Sequence, residues 1–333
     1  MQAVILVGGF GTRLRPLTYT TPKPLLPVAN VPLLEHIIAA LSTADVTEVV
    51  LALGFKPEPF LAAFPDGMCA GVSLRYAVEP HPMDTAGAVG FAARYAAINN
   101  TFIVVNGDIL TDLDVRALVD FHRQQRAVAT LHLTPVEDPS QFGVVETNDS
   151  GVVQRFLEKP QAHETTSRAV NAGTYVLEPS ILDHIPIDQS LSIERVVFPA
   201  LVATGSLSAM STDDYWIDTG RPETYLKANL DLIDGSRSRI LASVAAQAHI
   251  AGTAVITHSV VGDGCQIGGG AIISDSVLLP GAVVDSGARV EASIVMGHIG
   301  QGATVTDCVI GIDGRADPRT THVGEKIPDP ATL

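Results

Sequence analysis

From Ile250 onward the chain repeats a short pattern that few folds can accept. VGDGCQ, IGGGAI, ISDSVL and LPGAV begin at Val261, Ile267, Ile273 and Leu279. Apolar starts follow at Val284 and Val290 and, after a slip, at Ile299 and Val305, so the period is six with occasional shortening. Such spacing, in a stretch poor in charge and helix formers, predicts a parallel β-helix whose turns stack on one another with small residues at the corners. Ala316 to Leu333 carries three prolines and is expected as an irregular tail.

The preceding two thirds have a different texture. Strand-like runs at Ala3–Val7, Glu48–Leu53, Thr101–Val105 and Ala127–Leu133 alternate with helical patterns at Leu33–Ala44, Ala86–Ala97 and Val115–Gln125. That alternation predicts an α/β domain with a mixed, mostly parallel, Rossmann-like sheet covered by helices on both faces. Ligands of such sheets sit at the carboxyl ends of the strands. The texture changes around Gly235, so the expected division is a first domain over 1–235, a β-helix over 236–315 and a tail over 316–333.

Composition narrows the partners. With 333 residues, 46% of them hydrophobic, the chain has material for a sizeable core. Its 21 Lys and Arg stand against 36 Asp and Glu, a net charge of −15, which argues against nucleic acid or an anionic membrane as the main partner. An anionic ligand must then meet a local cluster of cations. Three scattered cysteines, Cys69, Cys265 and Cys308, form no zinc-type spacing and fit a reducing cytoplasmic compartment. Neither a leader peptide nor a run of about 20 apolar residues is expected.

Such a cluster follows the first strand. VGGFGTRLRPLTYTTPKPLLPV, Val7 to Val28, has three glycines and the cations Arg13, Arg15 and Lys23, with little to fill a core. A dinucleotide fingerprint is excluded because Leu14 stands where Gly or Ala is needed, and a Gly-Lys-Ser/Thr phosphate loop is absent. What remains is a loop whose backbone N–H groups can approach an anion that the cations neutralise. Asp108 follows the apolar run TFIVV and Asp218 lies in YWIDTG; by themselves each reads as a turn former or helix cap as readily as a metal ligand. Lys159 by itself reads as a solvated charge.

GGFGTRLRPLTYTTPKPLLPV resembles the signature of the sugar nucleotidyltransferases, in particular their mannose-1-phosphate guanylyltransferase branch. Further elements follow in that family's order: TAG at Thr85–Gly87, NGD ending at Asp108, FGVVE from Phe142, FLEKP from Phe156, NAGTYVLEP from Asn171, SIERVVFP from Ser192 and YWIDTGRPETYLKAN from Tyr215. The resemblance spans nearly the whole chain, because that branch also ends in a left-handed hexapeptide-repeat β-helix.

The resemblance implies transfer of a nucleotidyl group from an NTP to a sugar 1-phosphate, with GTP and mannose 1-phosphate as the substrates of that branch. It assigns nucleotide contacts to Val7, Gly8, Gly9, Gly11, Thr12, Arg13 and Lys23 in the signature and to Glu79, Asp84 and Thr85 in the base-binding segment. Sugar-phosphate contacts go to Gly143, Glu158, Lys159 and Asn171. Asp108 and Asp218 would hold Mg²⁺, and Arg13 and Lys23 join them as catalytic groups. The β-helix would support a homo-oligomer. One departure stands out, since Asp84 occupies a place where the family usually has glycine; a carboxylate there could face guanine's N–H donors, or be a loop variant. Two alternatives stay open: glucose 1-phosphate with dTTP, UTP or ATP, and a regulatory subunit that binds a nucleotide sugar without turnover. Acyl transfer by the β-helix, with His258 or His298 as base, is disfavoured by the lack of a long excursion to build a cofactor site.

Overall fold

The computed structural model describes residues 1–54, 57–161, 163–237 and 240–331. The chain divides into two compact units, one of Met1–Gly9 with Leu34–Trp216 and the other of Phe10–Leu33 with Ile217–Leu333.

The first unit is built on strands β1 (Gln2–Leu6), β2 (Glu48–Leu53), β3 (Met68–Cys69), β4 (Val72–Val78), β5 (Phe102–Asn106), β6 (Ala129–Pro135), β7 (Gly143–Thr147), β8 (Val153–Glu158), β9 (Ala169–Leu177) and β10 (Leu207–Ser211). The sheet runs β8-β7-β9-β5-β1-β2-β4-β3, with β6 paired to β9 and β10 to β6. Its centre, β5-β1-β2-β4, is parallel, and antiparallel pairing begins at β9. Ala3, Val4 and Ile5 of β1 are all fully buried, as expected of a central strand covered on both faces.

Helices α1 (Leu33–Ser42), α2 (Glu58–Ala63), α3 (Asp84–Tyr95), α4 (Val115–Gln125) and α5 (Phe198–Ala203) complete this unit. An alanine-rich face of α3, with Ala86, Ala92 and Ala93, lies close against Val4, Val50 and Val104, and small side chains allow that approach. The expected strands and helices of the first 135 residues are present with boundaries within two residues. The antiparallel half from β7 to β9 was not anticipated as pairing, because periodicity gives no strand order.

The second unit carries the repeat as three parallel five-stranded sheets. One stacks Val255–Thr257, Ile272–Ser274, Arg289–Glu291, Thr304–Thr306 and Thr321–Val323. Another stacks Val260–Val261, Val277–Leu278, Ile294–Val295, Val309–Ile310 and Lys326–Ile327. Every apolar start named above is buried inside. Successive coils are 17, 17 and 15 residues apart at the corner residues Ser259, Ser276, Ser293 and Cys308, three strands of about six with a residue or more dropped per turn, and this explains the uneven period.

The expectation of an irregular tail from residue 316 is corrected as far as Ile327. Ala316 is buried in the core, and Thr321–Val323 and Lys326–Ile327 complete the last coil. Pro318 and Pro328 lie outside the paired strands, where a missing N–H costs nothing, so prolines misled the reading. Residues 332–333 of that expected tail lie outside the described residues. Helix α6 (Pro222–Asp231) belongs to this second unit. Among the described residues no helix is long and apolar enough to cross a membrane.

Candidate active site

In the first unit, the carboxyl ends of β5, β1, β2 and β4 lie side by side. Leu6 pairs with both Asn106 and Ala52, and the Gly107 N–H donates to the Leu6 oxygen at 2.9 Å. A side chain at Gly107 would stand 2.7 Å from that oxygen, so glycine is required for the turn that delivers half-buried Asp108 beside Val7–Gly9. Val7 is buried and donates to Ala52, whereas Gly9 is exposed with open space where a side chain would be. Glu79 continues β4 beyond Val78; its Oε2 accepts the Met83 N–H at 3.1 Å. A Cβ at Gly8 would come within 3.4 Å of Glu79 Oε1, so the glycine loop and this carboxylate share one edge of the sheet. Burial holds the Glu79 pKa above the ordinary carboxylate value.

Asp84 opens α3 in the left-handed backbone region, at φ 55°, a conformation that glycine adopts without strain. Asp tolerates that region better than most residues, and its Oδ1 accepts the Thr85 N–H at 2.7 Å. The carboxylate serves the turn itself. Thr85 donates to Glu194 Oε2 at 2.7 Å and accepts the Ile193 N–H at 2.9 Å, which ties the TAG and SIER segments together.

The sugar-phosphate candidates gather where β7, β8 and β9 meet. Phe156 and Glu158 of β8 leave no room for a side chain on Gly143. Glu158 is half-buried, and its pKa is raised by burial first and then by Glu194, against the pull of Lys159 and Arg195. The Lys159 side chain is 58% exposed, with its Nζ 3.9 Å from Glu158 Oε1. Asn171 donates to the Tyr175 hydroxyl at 2.9 Å and its Oδ1 accepts the Gly173 N–H at 3.1 Å. Both ends of its amide are therefore engaged within the protein.

The second unit brings Arg13, Lys23 and Asp218 together. Gly11, at φ 59°, leads into a short 3-10 turn over Thr12–Leu14, where Thr12 and Arg13 are exposed. Lys23 is buried with its Nζ 3.8 Å from Asp218 Oδ1, which also accepts the Gly220 N–H at 2.6 Å. A Cβ on Gly220 would come 2.6 Å from an Arg13 guanidinium nitrogen, so this glycine makes the space in which Arg13 lies beside Asp218. Among the described residues no three His, Cys, Asp or Glu side chains converge into a metal site. Asp108 and Asp218 offer hard carboxylate oxygens, which suits Mg²⁺, a cation usually held by one or two carboxylates plus substrate phosphates.

Sequence reasoning passed over Glu194, Gly220 and Tyr175. All three lay inside quoted motifs, yet only tertiary contacts reveal that Glu194 joins Thr85 to Ser192 and that Gly220 clears space for Arg13.

A family model described as nucleotidyl transferase matches residues 2–235, and one described as GlmU-like, C-terminal hexapeptide, matches residues 232–327. Mannose-1-phosphate guanylyltransferase of Mycobacterium tuberculosis is 40% identical over 281 residues, 80% of this chain and 76% of that protein. Mannose-1-phosphate guanyltransferase of Schizosaccharomyces pombe is 38% identical over 274 residues, covering 80% of this chain and 74% of that protein. Among solved structures, HddC from Yersinia pseudotuberculosis complexed with GMP-PN superposes with a TM-score of 0.59 at 28% identity, covering 68% of this chain and 97% of that one.

Proposed function

We propose that this chain, which belongs to the nucleotidyl transferase family, joins GTP to mannose 1-phosphate and releases GDP-mannose and pyrophosphate. The reaction class rests on family membership. The substrate pair is supported by the names of relatives about 40% identical over 80% of the chain. The observation that carries the reading within the protein is the shared edge of β5, β1, β2 and β4, where Gly107–Asp108, Val7–Gly9, Gly54 and Glu79 stand in adjacent turns.

An ionised sugar phosphate oxygen attacks the α-phosphorus in line, the new P–O bond forms, and the bond to the β-phosphate oxygen breaks with its electrons leaving on pyrophosphate. The nucleophile needs no activating base, so the work is positioning and charge neutralisation. The loop from Val7 to Thr12 cradles the triphosphate, with the N–H groups beyond Val7 as its donors because the Val7 N–H is held by Ala52, and Arg13 and Lys23 offset its charge; the planar fork of Arg13 suits the departing pyrophosphate. Lys159 takes the sugar phosphate. Glu158 accepts sugar hydroxyls, Gly143 lets the ring approach the backbone, and Asn171 contributes through the turn it braces. Glu79, Asp84 and Thr85 shape the nucleobase side. Asp108 and Asp218 would hold Mg²⁺, which neutralises phosphate charge when bound.

The catalytic domain in this reading covers 1–235, followed by a β-helix that supports self-association. A reducing compartment suits Cys69, Cys265 and Cys308, all unpaired and buried. The test is a pyrophosphate-release panel of GTP, ATP, UTP and dTTP against mannose and glucose 1-phosphates with Mg²⁺. GTP with mannose 1-phosphate should give the highest kcat/KM; a stronger response to glucose 1-phosphate with dTTP, UTP or ATP would move the assignment within the family.

A further inference from the structure

We propose that the last two coils of the β-helix position the triphosphate-facing loop, with Lys326 and Gly311 as positioning residues for Arg13. This inference rests on the nucleotidyl-transfer reading and adds to it a role for the β-helix other than self-association.

The 3-10 turn Thr12–Leu14 has little stability of its own, since three residues form too few hydrogen bonds to offset their ordering. Its Arg13 carbonyl accepts a hydrogen bond from Lys326 Nζ at 3.0 Å, across 313 residues of sequence. Lys326 lies on the strand Lys326–Ile327, in register with Val309–Ile310, and the Gly311 N–H that follows donates to the Ile327 oxygen at 2.7 Å. Gly311 therefore follows directly on the Ile310–Ile327 pair, two residues beyond Val309, the register partner of Lys326. There a Cβ would come 2.8 and 2.9 Å from Pro16 Cβ and Cγ, so glycine is what lets the loop seat on the coil.

Two further contacts fix the loop's far end. Asn30 Nδ2 donates to the Val261 oxygen at 3.3 Å, and the Ala29 N–H donates to buried Asn229 of α6 at 2.8 Å. The loop is thus held at both ends by groups that touch no substrate. With the Arg13 backbone fixed and its guanidinium in the space left by Gly220, the cation is ordered before the nucleotide arrives. Preorganisation of this kind lowers the entropic cost of binding, and its loss appears in KM for the ligand the loop contacts.

The experiment compares Lys326→Met, Lys326→Arg and, as a control in the same coil away from the loop, exposed Val323→Ser. Loss of a charge-assisted but partly solvated hydrogen bond should raise KM for the NTP, and for pyrophosphate in the reverse direction, by about fivefold. KM for the sugar 1-phosphate and the melting temperature should stay near wild type, the arginine variant should recover most of the loss, and Val323→Ser should change nothing. Amide exchange at Leu14 and Arg15, whose N–H groups close the turn onto Gly11 and Thr12, should speed up in Lys326→Met. An unchanged NTP KM with unchanged exchange, or equal rises for both substrates with a lower melting temperature, overturns the proposal. If the wild type turns over no NTP and sugar phosphate pair, the functional reading falls, and exchange still decides whether Lys326 orders the turn.

Discussion

In the β-helix, Ser259, Ser276 and Ser293 stand above one another, each Oγ accepting the buried N–H of the next coil's corner residue at 3.0 Å. In the α/β unit Thr85 does a comparable task once, accepting from Ile193, 108 residues away, and donating to Glu194. One region repeats a single local solution, so each residue's environment is restated every coil. The other assembles its functional edge from turns after strands that are distant in sequence. Substitutions at the stacked corners of the repeat should therefore be interchangeable and structural, whereas those on the strand edge should be singular and functional.

The largest expected effect breaks that comparison at Asp108. Asp108→Asn should lower Mg²⁺-dependent turnover by at least about a thousandfold, since metal neutralisation of phosphate contributes several kcal/mol. Thermal unfolding should be unchanged, and near wild-type pyrophosphate release would remove Asp108 from the metal site.

A smaller effect is acid sensitivity confined to the α/β unit. His132 on β6 is fully buried, and burial lowers its pKa from 6.5 to about 4 against a weaker opposing pull from Asp214. The unfolded chain takes up a proton below about pH 6.5 that the folded chain refuses until about pH 4, so stability falls as pH drops through that window, by about 3 kcal/mol at its end. Urea midpoints across that range should flatten in His132→Gln; an unchanged acid limb would locate the sensitivity elsewhere.

How much of this was legible in the sequence follows the same division. The β-helix could be read because the same apolar position returns each coil, and the misjudged tail shows the limit: prolines at 318 and 328 sit outside its strands, where the pattern tolerates them. The glycine loop and Asp108 were readable as turns after apolar runs. Their neighbourhood was not, since the pairing of β1 with both β2 and β5 is a tertiary fact. Asp84 reads in the sequence equally as a group facing guanine or as a loop variant, and only the structure shows its backbone at φ 55° and its Oδ1 on the Thr85 N–H. Lys326 was invisible because nothing near it in sequence marks the Arg13 carbonyl.

Within the repeat, Ser276→Ala removes the acceptor of the buried Ser293 N–H and should cost about 1–3 kcal/mol, with a similar loss from Ser293→Ala at the next corner. Chemical denaturation checks both; strongly unequal losses would deny that the coils are equivalent. The smallest effect belongs to His258, whose ring contacts Asp275 at 2.7 Å and Asp234 at 3.5 Å. Its hydrogen bond to Asp275 first, with help from both charges, raises its pKa, so its contribution is present below about pH 6.5 and lost as pH rises through the higher folded value. Because the ring is 41% exposed, His258→Gln should cost under about 1 kcal/mol at pH 6 and nothing at pH 9, read from melting temperatures.

The central claim is the reaction, and running it backwards tests it most directly. Wild-type protein with GDP-mannose, pyrophosphate and Mg²⁺ should produce GTP and mannose 1-phosphate in equal amounts by ³¹P NMR, stopping on addition of EDTA. GDP-mannose that stays intact while UDP-glucose or dTDP-glucose is cleaved would contradict the substrate assignment. Intact nucleotide sugars throughout, with GDP-mannose bound, would contradict catalysis itself.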